Sequence, residues 1–394
     1  PRPPPTALGA DGATWAEFLA DVPRFNGTAR RLLIGGQRTN RYTNPRFEGA
    51  TAGVVGSGGV LPTGCSVTTA LGLATEVVSV TKSSGVDVLR LRISGTPSST
   101  GTYTLALTSA SGVTAAQNEE ITLSVLAALS AGATTNFGIM RFRGEERTGG
   151  VVTVNTADIR TLLTSSLQRF SGTGTLGTAG TTGLRLLFQA GVTISAAVDI
   201  TLNIGWPQIE QAPFASNPIL PAVGTPAAST RGADLVSATL SSLGIGASGA
   251  CTLLWSGMIP QNAPSGADQM LMQIDAGADT NRFRLRNVAG GATIVAGRVA
   301  SGVSSDATSL GSMTAGTLFR AGISINGAGR IAGCFNGGTV QAVTGGPTSG
   351  LTTLRVGNNQ ANAAPLFSEV ATVSVLPFAL SDSGLRSAVL ALPG

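Results

Sequence analysis

Five prolines, Pro207, Pro213, Pro218, Pro221 and Pro226, punctuate the stretch Ile204–Asp234, IGWPQIEQAPFASNPILPAVGTPAASTRGAD. Proline fixes φ and removes a backbone donor, so neither a continuous helix nor a central strand is expected to run through it. The chain should therefore divide here. On both sides, short apolar runs alternate with polar residues and stop at Gly, Asn, Ser or Pro, the pattern of β-sandwich strands. A chain of 394 residues is long enough for more than one core. The expectation is an all-β chain with two tandem β-sandwich domains, 45–214 and 235–394. A linker at 215–234 joins them, and an extended N-terminal arm with a short helix, 1–44, precedes them.

Strands are expected in the first region at Glu76–Thr81, Val86–Ile93, Tyr103–Leu107, Glu120–Ala127, Asn136–Arg143, Val151–Asn155, Leu167–Ser171, Gly183–Phe188 and Ile200–Trp206. In VLRLRIS, Val88, Arg90 and Arg92 point one way and Leu89, Leu91 and Ile93 the other, so a one-residue slip would bury arginines. The second region offers Cys251–Ile259, Gln269–Asp275, Arg282–Asn287, Thr293–Val299, Leu318–Asn326, Arg330–Phe335, Thr353–Val356 and Ser368–Leu376. In the arm, residues 1–10 read as polyproline-like. Ala13–Leu19 reads as a helical turn with Trp15, Phe18 and Leu19 on one face, too short to stand without a docking surface.

Histidine is absent from the sequence. Ser-His-Asp and Cys-His catalysis are thereby excluded, as are histidine-bearing zinc or iron sites. Glycine clusters such as GTGTLGTAG continue into β-patterned sequence, which is not the context of a phosphate loop or dinucleotide fingerprint. Paired carboxylates remain the enzymatic route, and glycosidases need two of them about 5 to 9.5 Å apart. The candidates are Glu119 with Glu120, Glu145 with Glu146 in the expected hairpin turn RGEERTGG, and Asp275 with Asp279. Adjacent strand residues point to opposite faces, so neither Glu-Glu pair makes a dyad alone. Asp275 and Asp279 flank the turn IDAGADTN and, with Asn281, could present oxygens to Ca²⁺; an ordinary turn has the same composition.

Only 11% of residues are charged, and a surface of Ser, Thr, Ala and Gly suits partner chains as well as water. The net charge of +5 is spread along the chain, which has a single lysine, Lys82. Arg282, Arg284 and Arg286 share one face if NRFRLRN is a strand, and read as a solvated face rather than a phosphate-tracking stripe. No nucleic-acid partner is expected. No apolar run reaches the roughly 18 residues of a membrane span, and PRPPPTALG lacks a signal-peptide layout. A soluble chain, not membrane-inserted and not secreted by that route, is the expectation. Cys65, Cys251 and Cys334 exclude a dense disulfide framework and a CxxC metal site, leaving a Cys251–Cys334 bridge or buried free thiols.

The succession PRFN, RRLLIGGQRTN, NPRFEGATAG and PTGCSVTTALG resembles a family of tail and spike proteins encoded by bacteriophages and prophages of alphaproteobacteria. In that family a pattern like LLIEGARTN precedes a carbohydrate-binding-module-like jelly roll, which ends in a segment like ITLRIGLPQLEQGAFATSPI. Here DITLNIGWPQIEQAPFASNPI stands at that end. The likeness spans residues 23–235 and departs at Gly36, often acidic in the family, and at Asn203, often arginine. The order TLLWSGMIP, FRAGISINGAGRIAGCFNGG, LTTLRVGNNQ and LPFALSDSGLRSAVL looks like a concanavalin-like or laminin-G-like jelly roll. There a short helix begins at a Leu-Ser-Asp turn, with Ser381 or Asp382 as N-cap and Leu385 and Leu390 facing the sheet.

Sugar binding needs a ring for the apolar sugar face and amides or carboxylates for the hydroxyls. Asn358, Asn359, Gln360 and Asn362 form the densest amide cluster, where concanavalin-like folds place a loop near the concave face. Trp255, with Trp206 and Phe335, offers an aromatic platform, although each lies in a run that also reads as core strand. The resemblance implies a non-enzymatic virion structural protein on the phage particle surface, made in the bacterial cytoplasm. It would be a fibre or spike subunit of the tail or capsid vertex, forming a homo-oligomer, trimer or pentamer. The N-terminal arm, through Trp15, Phe18 and Leu19, would hold other virion proteins, and the sandwiches would bind host cell-surface polysaccharide. The alternatives are an architectural adaptor or decoration subunit, or a polysaccharide depolymerase. No cofactor is expected apart from the Ca²⁺ considered for Asp275 and Asp279.

Overall fold

Alternation of apolar and polar residues sorts the strands into inner and outer faces. The computed structural model, which describes residues 6–18, 22–148 and 151–393, pairs those inner faces into two β-sandwiches. One unit takes the residues up to Val22 and Arg38–Arg231; the other takes Pro23–Gln37 and the residues from Gly232 onward. The all-β architecture matches the patterning. The expected arm and linker boundaries do not, because both segments are built into the sandwiches.

In the first sandwich, one sheet orders Gln168–Thr175, Glu120–Gly132, Val198–Gln211, Val86–Gly95, Ala74–Ser83, Gly53–Val55 and Gly58–Gly59. The other orders Val152–Asn155, Phe137–Glu146, Gly183–Val192, Gly101–Ala106 and Ser66–Thr69. Leu89, Leu91 and Ile93 are fully buried against Phe142 and Phe188 of the facing sheet, as the period-2 pattern requires.

The central strand Val198–Gln211 runs straight through Pro207, which overturns the expectation that no such strand could form there. Trp206 adopts φ 40°, and the register with Glu120–Gly132 shifts between Ser124 and Leu126. This bulge admits the proline, since the partner strand Val86–Gly95 pairs only as far as Gly205. It also turns Trp206 to the outer face, where it packs with Val86, Val88, Leu126 and Leu220.

That outer face is covered by the N-terminal segment. The expected helix is instead a hairpin, Thr6–Leu8 with Trp15–Glu17; a lone amphipathic turn gains less than a strand pair that also docks. Trp15 meets Trp206 edge-on at 6.1 Å, so it is spent on its own sandwich and is not a free virion anchor. Phe18 follows the hairpin, half-buried; Leu19 and the proline-rich Pro1–Pro5 lie outside the described residues. Arg46, 4% exposed, fixes the cover: it bonds Glu17 at 2.7 Å, Asp87 at 2.6 Å and the Pro221 carbonyl at 2.9 Å. The segment expected as linker is tied down too. Thr6 Oγ1 donates to the Pro218 carbonyl, Asn40 Nδ2 to the Ile219 carbonyl, and Ser229–Arg231 pairs with Arg38–Asn40.

In the second sandwich, one sheet orders Gln341–Thr344, Arg330–Phe335, Leu318–Ile325, Cys251–Met258, Ser368–Leu376, Arg31–Ile34 and Phe25–Asn26. Two strands of the expected arm thus extend this sheet, with Ile34 in the core and Asn26 donating to Glu369. A Cβ on Gly36 would stand 2.7 Å from the side chains of both Phe367 and Pro365, so the acidic residue of the resembling family has no room here. The facing sheet orders Val236–Thr239, Thr353–Val356, Gln269–Asp275, Arg282–Asn287, Thr293–Ala300 and Val303–Asp306. Ser381 caps the helix Asp382–Leu390, whose buried residues are Leu385 and Val389; Leu390 is exposed, because i and i+4 share a face and i+5 does not.

Cys65, Cys251 and Cys334 are free thiols, so no Cys251–Cys334 bridge forms. Burial pushes the Cys65 and Cys251 thiols up to about 12 and also raises Cys334. At pH 8 a group titrating at about 12 is thiolate in roughly one molecule in ten thousand. Ellman's reagent should therefore label the chain only on unfolding, and rapid labelling of native Cys251 would contradict the buried core. Arg46→Ala should destabilise the first sandwich by about 2 kcal/mol in denaturant titration, since it removes the bonds to Glu17, Asp87 and the Pro221 carbonyl and leaves Asp87 with Lys82 and the Trp206 indole alone. A loss under about 0.5 kcal/mol would remove the latch from the account.

Candidate functional site

On the strand Gln269–Asp275, Met272 and Ile274 enter the core, so Gln273 and Asp275 face outward. Phe283 and Leu285 do the same for the next strand, leaving Arg282, Arg284 and Arg286 on the outer side. Register aligns these groups into one row across six strands: Ser237, Arg355, Gln273, Arg284, Gly297 and Asp306. Gly297 leaves room in this row for the Asp306 carboxylate. A Cβ there would come within 2.0 Å of Asp306 Oδ1, exactly where that carboxylate reaches over to Arg284.

The row is an ion-pair lattice. Arg355 Nε donates to Asp275 Oδ2 at 2.7 Å, and Asp275 also accepts from Gln273 Nε2 at 3.0 Å and Gly277 N at 2.8 Å. Arg284 and Arg286 share Asp306 at 3.2 and 2.6 Å; Arg286 also meets Asp268, and Arg282 meets Asp279. The arginine triplet is thus not the solvated face expected: its side chains are 13%, 9% and 11% exposed, each held by aspartate. Burial, then repulsion from Arg286, lowers the Arg284 pKa, with Asp306 pulling the other way. Several buried atoms keep an unused valence: Gln273 Oε1 has no donor, and the Nε groups of Arg282, Arg284 and Arg286 have no acceptor.

Three of the residues singled out in the sequence meet here. Gln360 accepts from Gln273 at 2.6 Å and donates to Asp279, which folds the loop after Val356 over the row that holds Asp275. The rest of the amide cluster serves the loop itself. Asn358, 3% exposed, accepts from Asn359 N and Ala364 N; Asn359 accepts from Ala363 N; Asn362 occupies a positive-φ turn. Trp255 is fully buried, stacked 4.7 Å from Phe319, and cannot meet a sugar. Gln273, Arg355, Asp268 and Asp306 escaped the sequence reading. The alternation in QMLMQID marks Gln273, but nothing local announces that Asp306 lies beside Arg284.

Three of the other candidate carboxylates, Glu119, Glu145 and Glu146, already hold partners. Glu119 is held by Arg41 at 2.6 and 3.2 Å, at one wall of an open groove of about 300 Å³ that Gln117, Asn118, Glu120 and Gln211 also line. Glu145 and Glu146 end a strand rather than sit in a turn, and point opposite ways. Glu145 faces Arg185, while the fully buried Glu146 accepts from Gly177 N, Thr178 N and Thr181 Oγ1. Asp279 and Asp275 already hold side-chain cations and amides where a metal would sit, and no group of three acidic or thiol ligands occurs among the described residues.

No protein-family model matches the sequence, and no curated protein matches it. Among solved structures, the Ruminococcus gnavus IT-sialidase CBM40 bound to alpha2,3 sialyllactose is similar at 14% identity and TM-score 0.30, over 38% of this chain and 86% of that one. Domains LG4-5 of the mouse laminin alpha1 chain align at 10% identity and TM-score 0.29, over 68% and 86%. The N-terminal CBM22-1-CBM22-2 tandem domain from Paenibacillus barcinonensis Xyn10C aligns at 10% and 0.25, over 79% and 92%. Likenesses this distant carry no argument about ligand or activity, which rest on the residues of the chain itself.

Proposed function

We propose that this chain is a glycan-binding structural subunit of a phage particle, a fibre or spike component that displays its sandwiches to the host surface. The observation that carries the glycan reading is the outward row of the second sandwich. Over a buried floor that includes Gln273, it sets the half-buried Arg355 and Gln360 beside the more exposed carboxylates of Asp279 and Asp306, donors next to acceptors. A hydroxyl group both donates and accepts, so a polyhydroxylated chain can meet both kinds of group. The four arginines of the row and its rim face four aspartates, Asp268, Asp275, Asp279 and Asp306, so the site is suited to a neutral sugar. Commitment of Glu119, Glu145, Glu146, Asp275 and Asp279 to ion pairs and hydrogen-bond donors supports binding without hydrolysis. The particle assignment rests on the two sequence motifs; with Trp15 docked on its own sandwich, attachment is not assigned to that residue.

A shallow site gains from repetition, and a symmetric trimer or pentamer would supply it. Light scattering should then give three or five chains, and a monomer at micromolar concentration would defeat the display reading. On an array of bacterial surface glycans the full chain should bind neutral polysaccharide, and Gln360→Ala, at a half-buried loop side chain, should weaken it about tenfold. Absence of any glycan signal would leave an adaptor subunit as the better account, and released reducing ends would indicate a depolymerase. Purified particles should contain the chain by mass spectrometry. Calcium or EDTA should move the midpoint by less than about 1 °C; calcium-dependent glycan binding would reverse the metal-free reading.

A further inference from the structure

The outer face of the first sandwich's smaller sheet differs in charge balance from the lattice just described. Met140 and Phe142 are buried in the core, so Arg141 and Arg143 project from the opposite side of their strand, about 7 Å apart. One row reads Asn155, Arg143, Leu187, Ala106 and Ser66; the next reads Arg141, Gln189, Thr104 and Thr69. Leu187 and Ala106, each 1% exposed, and Thr104 form a floor. Exposed Ile139, Thr102, Thr69 and Asn155 form the rim.

Carboxylates are scarce here. Glu145 takes both Arg185 and Arg147, and Asp158, beside the same strand, is taken by Arg160 at 2.9 Å and the Met140 N–H. Among the described residues neither Arg141 nor Arg143 has an ion pair, and Arg143 donates only to the neutral Gln189. The Nε atoms of both arginines are buried without an acceptor. Burial, then repulsion from Arg141, lowers the Arg143 pKa, and Glu145 offsets this in part. Two half-buried like charges side by side raise the energy of the free protein, and an anion placed between them would lower it.

We propose that this trough is a ligand site separate from that of the second sandwich, and that it takes the carboxylate of an acidic glycan, uronate or sialate. A carboxylate matches guanidinium forks in bidentate geometry; the half-buried Gln189 then meets ring hydroxyls, and the exposed Ile139 at the rim offers an apolar contact. A nucleic acid fits less well. Neither row carries an aromatic side chain for a base, and two cations make no backbone track.

The test titrates the full chain with polygalacturonate and polysialate, against methyl-esterified polygalacturonate and a single-stranded polynucleotide. At least one acidic polymer should bind, and the ester should bind about tenfold more weakly or worse. Arg141→Gln, which gives up no protein hydrogen bond, and the R141Q/R143Q pair should each weaken acidic binding with the thermal midpoint unchanged or raised. Gln360→Ala should leave it unaltered, so failure here and failure of the second-sandwich site are told apart. Equal binding of the ester, no binding of either acidic polymer, undiminished binding by folded Arg141→Gln, or preference for the polynucleotide would each overturn the proposal.

Discussion

Guanidinium groups standing on the outer faces of strands, with or without a carboxylate opposite, are the constraint on which the rest of this structure turns. A strand that buries one face in a sandwich core must put its alternate residues somewhere, and here those residues are repeatedly arginine. On one sheet of the second sandwich Arg282, Arg284, Arg286 and Arg355 each find an aspartate, and the face becomes a charge-balanced lattice of donors and acceptors. On the smaller sheet of the first, Glu145 must serve Arg185 and Arg147 while Arg141 and Arg143 go unpaired. The same backbone physics thus yields one charge-balanced surface and, among the described residues, one on which two guanidinium groups lack a carboxylate.

The larger sheet of the first sandwich shows a third outcome. Its outer face carries Val86, Val88, Leu126 and Trp206, which water would penalise, so the chain covers it with its own N-terminal hairpin and the segment around Leu220. Arg46 makes that cover specific, because the pairs it forms with Glu17 and Asp87 and its bond to Pro221 can be satisfied in one arrangement. Residues 23–37 leave for the second unit and the chain then returns, so neither sandwich is made from one continuous stretch.

Strand positions were legible because alternation is local: every strand expected between Glu76 and Leu376 overlaps an observed one. The helix at 13–19 and the break at Pro207 were misread for a common reason. Both depended on partners distant in sequence, Ser84 and Trp206 for the hairpin, and the end of the Val86–Gly95 pairing for the proline. Of the site, Asp275, Asp279 and Gln360 could be named in advance because polar residues clustered near turns stand out. Arg355 and Asp306 could not, since each is ordinary until register sets it beside Gln273 or Arg284.

The amino-acid order alone determined that this chain would be β-structured, would carry two cores and would lack imidazole chemistry, because periodicity and composition act residue by residue. Tertiary structure decided which arginines are neutralised and which are not. Pairing across a sheet depends on register and strand order, and a carboxylate and a guanidinium as remote in sequence as those of Asp275 and Arg355 become neighbours only when the sheet has formed.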